Sequence, residues 1–156
     1  LPPPARRDAA RRWLMAAAQG VKTDEAMVIA DETMAVLENP DLAPLFGPGS
    51  RAEAPLTGIV RGAVVGGLVD RIAILPDRVL ICDYKTGRDA PDRVEDTPVL
   101  YCRQMAAYRD VLCAIYPDQP VTCALVWTRA ARISVLPDAV LDASLMAGAG
   151  STMSRP

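Results

Sequence analysis

Asp83-Tyr84-Lys85 closes the apolar run Val79-Leu80-Ile81-Cys82. Alternate side chains on a strand share a face, so Asp83 and Lys85 stand together while Cys82 and Tyr84 point the other way. Asp70 closes a second apolar stretch, GAVVGGLV. A tight turn at Pro76-Asp77 pairs positions whose numbers sum to about 153, which sets Asp70 opposite Asp83. Two carboxylates at the edge of a core repel, and one takes up a proton unless a cation intervenes. Oxygen-only ligation beside open positions suits Mg²⁺ or Mn²⁺ better than zinc. Lys85 is then placed to orient or deprotonate an attacking water, or to steady a pentavalent phosphate. Two acids and one lysine around a hard cation make a phosphodiesterase. A bare Asp-x-Lys also serves as an exposed cross-strand ion pair, and at this point that alternative stands beside the first.

Composition narrows the chemistry further. The chain has 156 residues, enough for one compact domain, and no histidine. That excludes a Ser-His-Asp triad, a Cys-His dyad and any histidine-based zinc site within these residues. The four cysteines, at 82, 102, 113 and 123, never approach Cys-x-x-Cys spacing. Each lies in an apolar segment and is expected to be a buried, reduced thiol. A net charge of −2 argues against a basic clamp on DNA, though not against DNA delivered by another module. Arginine supplies nearly all the positive charge. Lysine occurs only at 22 and 85, which singles out Lys85. No apolar stretch approaches a membrane span, and no signal-peptide layout is present, so the expected location is cytoplasmic.

The elements that must position these groups follow from periodicity. Residues 5–19 read as an Ala/Arg-rich helix stopped by Gly20, and Asp24 to Glu38 as a second, ended by Asn39-Pro40. Met27, Ala30, Met34 and Leu37 supply its expected buried stripe. Asp41 to Phe46 forms one short helical turn. From Arg51 the period changes to two: residues 51–61, Val64 to Leu75 and Val79 to Lys85 read as strands, the last two as an antiparallel hairpin. A polar loop, Gly87 to Asp96, leads to a helix over 97–116 with Tyr101, Met105, Tyr108, Leu112 and Ile115 on one side. Val121 to Thr128 and Ile133 to Leu136 read as strands, 138–147 as a final helix, and 148–156 as a flexible tail. The expected fold is therefore α/β (α+β): one domain over 1–156, with N-terminal helices over 1–46 and a mixed sheet with its core helix over 51–136. The step from β-strand 79–85 through the helix to 121–128 reads as a parallel crossover.

Three further features invite two readings each. Gly66-Gly67 marks a local kink or clearance for a nucleic-acid backbone. Gln104 and Tyr108 share one helix face and either hold water and phosphate or are ordinary helix residues. Arg6, Arg7, Arg11 and Arg12 form a solvated face or pack against other parts of a longer protein. Trp13 and Trp127 read as core or interface anchors.

Taken together, GGLVDRIAILPDRVLICDYKTG and YCRQMAAYRDVL resemble the motifs of the RecB-like PD-(D/E)XK nuclease family. A Gly-x-x-Asp strand (Gly67, Asp70) precedes an Asp-Tyr-Lys-Thr strand end (Asp83 to Thr86), then a helix with Gln-x-x-x-Tyr (Gln104, Tyr108). RAEAPL at 51–56, VWT at 126–128 and IYPDQPV make the wider chain similar to the C-terminal nuclease domain of AddA-type helicase–nucleases. The resemblance implies a restriction-endonuclease-like core and Mg²⁺-dependent cleavage of DNA single strands delivered by a helicase, in double-strand-break repair by recombination. It implies an AddB-type partner subunit and contacts with the remainder of the parent chain. Asp70, Asp83 and the Tyr84 carbonyl would hold metal, Lys85 would serve catalysis, and Gln104 and Tyr108 would complete the site. The family also places a metal-binding histidine in a preceding helix. Its absence here, with a start at Leu1, leads to the expectation of a fragment cut just downstream of that helix. The alternative is a nuclease-like module that binds DNA or a partner subunit and is inactive alone.

Overall fold

A computed structural model describes residues 3–17, 22–86 and 89–149. Two helices, α1 (Pro3–Ala17) and α2 (Thr23–Glu38), lead through a 3₁₀ segment at Pro40–Phe46 into the strands β1 (Ser50–Val60), β2 (Ala63–Ile74) and β3 (Val79–Lys85). Then come α3 (Val99–Ile115), β4 (Val121–Trp127), β5 (Arg132–Leu136) and α4 (Asp138–Ala149). The sheet runs β1-β2-β3-β4-β5. Every neighbouring pair is antiparallel except β3–β4, which is parallel and joined through α3. This is the expected mixed sheet with flanking helices. Gly20 and the 150–156 part of the tail lie outside the described residues, as does Gly87 at the start of the polar loop.

The sheet separates two cores. On one face α3 and α4 cover Val69, Ile72, Val79, Ile81, Leu125 and Trp127. On the other, α2 and the 3₁₀ segment cover Ala73, Leu80, Cys82, Ala124 and Val126. β3 is buried from Val79 through Asp83, as a central strand covered on both faces must be. Asn39 explains where α2 stops. Pro40 forces its backbone into an extended conformation, its side-chain oxygen accepts from the Asp41 N–H, and its amide donates to the Ala131 carbonyl. α1 meets α2 through ion pairs from Arg7 and Arg11 to Asp31.

Several side chains depart from their expected places. The buried stripe of α2 is Ala26, Ala30, Met34 and Val36, while Met27 is exposed and Leu37 only half-buried. A one-residue shift turns the helix by about 100°, and two alanines on the inner face permit close approach. Ile115 is exposed at the end of α3, and Trp13 is exposed on α1, whereas Trp127 is core. Cys82, Cys102 and Cys123 are buried free thiols, but Cys113 is exposed, since it lies on the outer side of α3.

Arg109 was not singled out by the sequence. It is a buried residue of α3 whose guanidinium donates to Asp110, Asp138 and Asp142 and so ties α4 to α3. Burial works to lower its pKa, but the hydrogen bonds to Asp142, Asp110 and Asp138 outweigh that and hold it above the usual arginine value. Arg109→Leu should lower the unfolding free energy by about 2 kcal/mol in a urea titration, and an unchanged midpoint would count against this tie.

Burial pushes the Cys123 thiol up from 9.0 to about 12. Because the folded value is the higher one, its contribution to stability is complete below about pH 9 and is lost as pH rises toward 12. Cys123→Val should accordingly flatten the fall in urea midpoint between neutral pH and about pH 10.5, whereas an equally steep fall would contradict the assignment.

Candidate active site

The ends of β2 and β3 define the site. The hairpin has the register that its turn implied, with Ile74 opposite Val79 and Arg71 opposite Cys82. Pairing ends there, so Asp70 and Asp83 occupy the next register position, where the strands no longer share ladder bonds. In place of the ladder, the Asp70 Oδ2 accepts from the Tyr84 N–H at 2.8 Å. The alternation of β2 also slips here: Val69 and Ile72 belong to the same core although they are three residues apart. On β1 the register position facing Asp70 falls to Glu53, whose φ of +49° puts it in the left-handed region. The irregular backbone on both strands leaves Asp70 free to bond β3 through its side chain.

Asp83 is only 7% exposed, and its two oxygens have separate partners. Oδ2 meets the Lys85 Nζ at 2.5 Å, and Oδ1 accepts from the Gln104 Nε2 at 3.2 Å. Taking both charges out of water is costly, and a short contact with a further hydrogen bond offsets it only while both partners are present. Gln104 also stands 3.5 Å from the Tyr108 hydroxyl, which lies 3.5 Å from the Leu68 carbonyl, both at the weak limit of hydrogen bonding. The structure thus brings Asp83, Lys85, Gln104 and Tyr108 into one cluster. Asp70 joins it through the Tyr84 backbone.

Two residues near this cluster were missed as site residues. The Lys85 Nζ lies 3.9 Å from the centroid of the Tyr101 ring, and that ring meets Trp127 at a tilt with centroids 6.4 Å apart. The spacing carried the signal, because Tyr101 precedes Gln104 by three residues on α3 and so shares its face. Gly67 also has a different reason from those expected. A Cβ there would fall 2.3 Å from the Tyr108 hydroxyl oxygen, so the glycine clears space for this ring rather than for nucleic acid. On the opposite side of the sheet, Tyr84 and Thr86 line a cavity of about 730 Å³ with Val28, Ile29 and Phe46. Tyr84 sits above its usual pKa, chiefly through burial, and Cys82 is raised to about 12 by burial and then by Asp70 and Asp83.

The sequence profile of the PD-(D/E)XK nuclease superfamily matches residues 4–146, and the chain belongs to that superfamily. A crystal structure of a provisionally named exonuclease from Eubacterium rectale is similar in fold, with a TM-score of 0.58 at 16% identity. The match covers 93% of this chain and 59% of that one, so the chain spans little more than half the length of that protein. A second solved structure, SSO0001, matches at 13% identity over 93% of this chain and 73% of its own, with a TM-score of 0.39. No curated protein matches significantly.

Members of this superfamily typically use divalent metals, and the donors present suit a hard cation. Asp83, Asp70 and the Tyr84 carbonyl offer oxygen alone, and Asp70 Oδ1 has no hydrogen-bond partner among the described residues. Among the described residues no group of three or more Asp, Glu, Cys or His side chains is placed to hold a metal ion, so side chains alone do not supply three ligands here. Gly67→Ala should destabilise the fold by about 2 kcal/mol by displacing Tyr108. Gly66→Ala, with nothing nearer than 3.9 Å to the added carbon, serves as the control; equal denaturation midpoints for the two variants would contradict the packing.

Proposed function

We propose that this chain is a single metal-dependent deoxyribonuclease domain over residues 1–156, with Asp70, Asp83 and Lys85 at its catalytic centre. The observation that carries the reading is the Asp83–Lys85 pair, 2.5 Å apart and nearly out of solvent, with the Asp70 carboxylate accepting from the N–H of Tyr84 between them in the chain. Asp70, Asp83 and the Tyr84 carbonyl would hold Mg²⁺, which when bound relieves the repulsion of the two acids and offsets charge on the phosphate oxygens. Lys85 turns its N–H donors toward the scissile phosphate and steadies the negative charge that grows there. Gln104 fixes the orientation of Asp83 and, with the Tyr108 hydroxyl, supports a water or a phosphate oxygen.

The finer assignment is the nuclease domain of a RecB-like, AddA-type helicase–nuclease. It acts as an exonuclease on single strands that a helicase delivers, during double-strand-break repair by recombination in the cytoplasm. The net charge of −2 supports delivery by another module, since the domain lacks an electrostatic hold on DNA. An AddB-type subunit and the remainder of a parent chain are the partners in this assignment. Among the described residues no helix is long and apolar enough to cross a membrane. A second reading draws on the same contact: Lys85 already satisfies an Asp83 oxygen that a cation needs, as in a module that binds DNA or a subunit without cutting.

The test is cleavage of end-labelled single-stranded DNA with Mg²⁺. Asp83→Ala and Lys85→Ala should each slow cutting by at least about a hundredfold while the native circular dichroism spectrum is retained. Parent-level cutting by either variant contradicts the proposal, and binding by the parent chain without any cutting selects the second reading.

A further inference from the structure

We propose that Tyr101, braced by Trp127, is the positioning residue that sets where the Lys85 ammonium stands during phosphodiester cleavage. This rests on the reading of Lys85 as a catalytic group.

A lysine is a poor fixed point on its own, because its charge rides on a flexible four-carbon stem. In this chain the head group is anchored on two sides. Asp83 takes one N–H at 2.5 Å, and the face of Tyr101 lies 3.9 Å from Nζ, within cation–π range. The two anchors differ in kind. Any group that engages the Asp83 carboxylate competes with Lys85 for its oxygens, whereas nothing in that exchange touches the ring. Tyr101 therefore keeps the ammonium near Asp83 after the carboxylate contact loosens, and leaves an N–H free for a phosphate oxygen.

The ring is itself fixed. Tyr101 lies in α3 three residues before Gln104, so one helix carries both the group that holds Asp83 and the group that holds Lys85. Behind it Trp127 is 1% exposed, is the parallel-register neighbour of Lys85 on β4, and donates its Nε1–H to the Ser134 Oγ at 3.0 Å. That hydrogen bond links β4 to β5 and fixes the indole, which meets the Tyr101 ring at an interplanar angle of 57°. The Tyr101 hydroxyl has no hydrogen bond among the described residues, so the ring face, not the oxygen, is the working part.

Tyr101→Leu and Tyr101→Phe separate these functions. With single-stranded DNA and Mg²⁺, Tyr101→Leu should lower kcat by between about ten- and a hundredfold with KM near the parent value, as expected for a displaced catalytic group. Tyr101→Phe, which keeps the ring, should restore kcat to within about twofold. A second readout is independent of activity. The chain has only two lysines, so in lysine-labelled protein the NMR signals of Lys85 are assigned by comparison with Lys22→Arg. The Lys85 methylene next to Nζ should carry an upfield ring-current shift that persists in Tyr101→Phe and disappears in Tyr101→Leu. If Lys85→Ala cuts as fast as the parent, the nuclease reading falls and this inference with it. If Lys85→Ala is inactive while Tyr101→Leu keeps the parent kcat, only this inference falls.

Discussion

The contact between Asp83 and Lys85 is the constraint around which this end of the domain is built. β3 is an apolar central strand, and its last buried residue is a carboxylate. An acid there without a partner would be strongly unfavourable, so the strand has to bring its own cation two residues later on the same face. The ion pair in turn fixes how α3 must lie. Gln104 has to reach the second Asp83 oxygen, and Tyr101 has to cover the ammonium, which sets the rotation of the helix about its axis. With α3 turned that way, Tyr108 points at β2, and the strand has room for its hydroxyl only because residue 67 is glycine. One buried charge pair thus reaches through a helix to the backbone of the neighbouring strand, β2.

The local parts of this arrangement were legible in the sequence. The bounds of β3 and the register of the hairpin follow from alternation and a two-residue turn, both of which involve neighbours in the chain. The parallel pairing of β3 with β4 follows from an intervening helix too long for a hairpin. The shared face of Gln104 and Tyr108 needs only the helical repeat. What these rules deliver is placement along and across one element or two adjacent ones.

Contacts between distant elements were not legible. Arg109 gains two of its three carboxylate partners, Asp138 and Asp142, only when α4 folds back on α3, which no pattern within α3 announces. The pairing of Asp70 with a backbone N–H, rather than directly with Asp83, depends on the slip in β2 and the left-handed Glu53 on β1. The buried face of α2 depends on how closely its alanines approach the sheet. Gly67 illustrates the point: glycine within a strand correctly signals close approach, but whether the visitor is nucleic acid or a tyrosine from α3 is decided by a residue far along the sequence, Tyr108.

The proposed cation-binding centre consists of Asp70, Asp83 and the Tyr84 carbonyl, and it shares Asp83 with Lys85. Crystals soaked in Mn²⁺ and measured by anomalous scattering test it most directly. The expected result is a single peak in contact with both carboxylates and the Tyr84 carbonyl, with the Lys85 ammonium drawn off Asp83 yet still over the Tyr101 ring. Well-ordered β2 and β3 ends with no peak between them, or with the ion bound elsewhere, would contradict it.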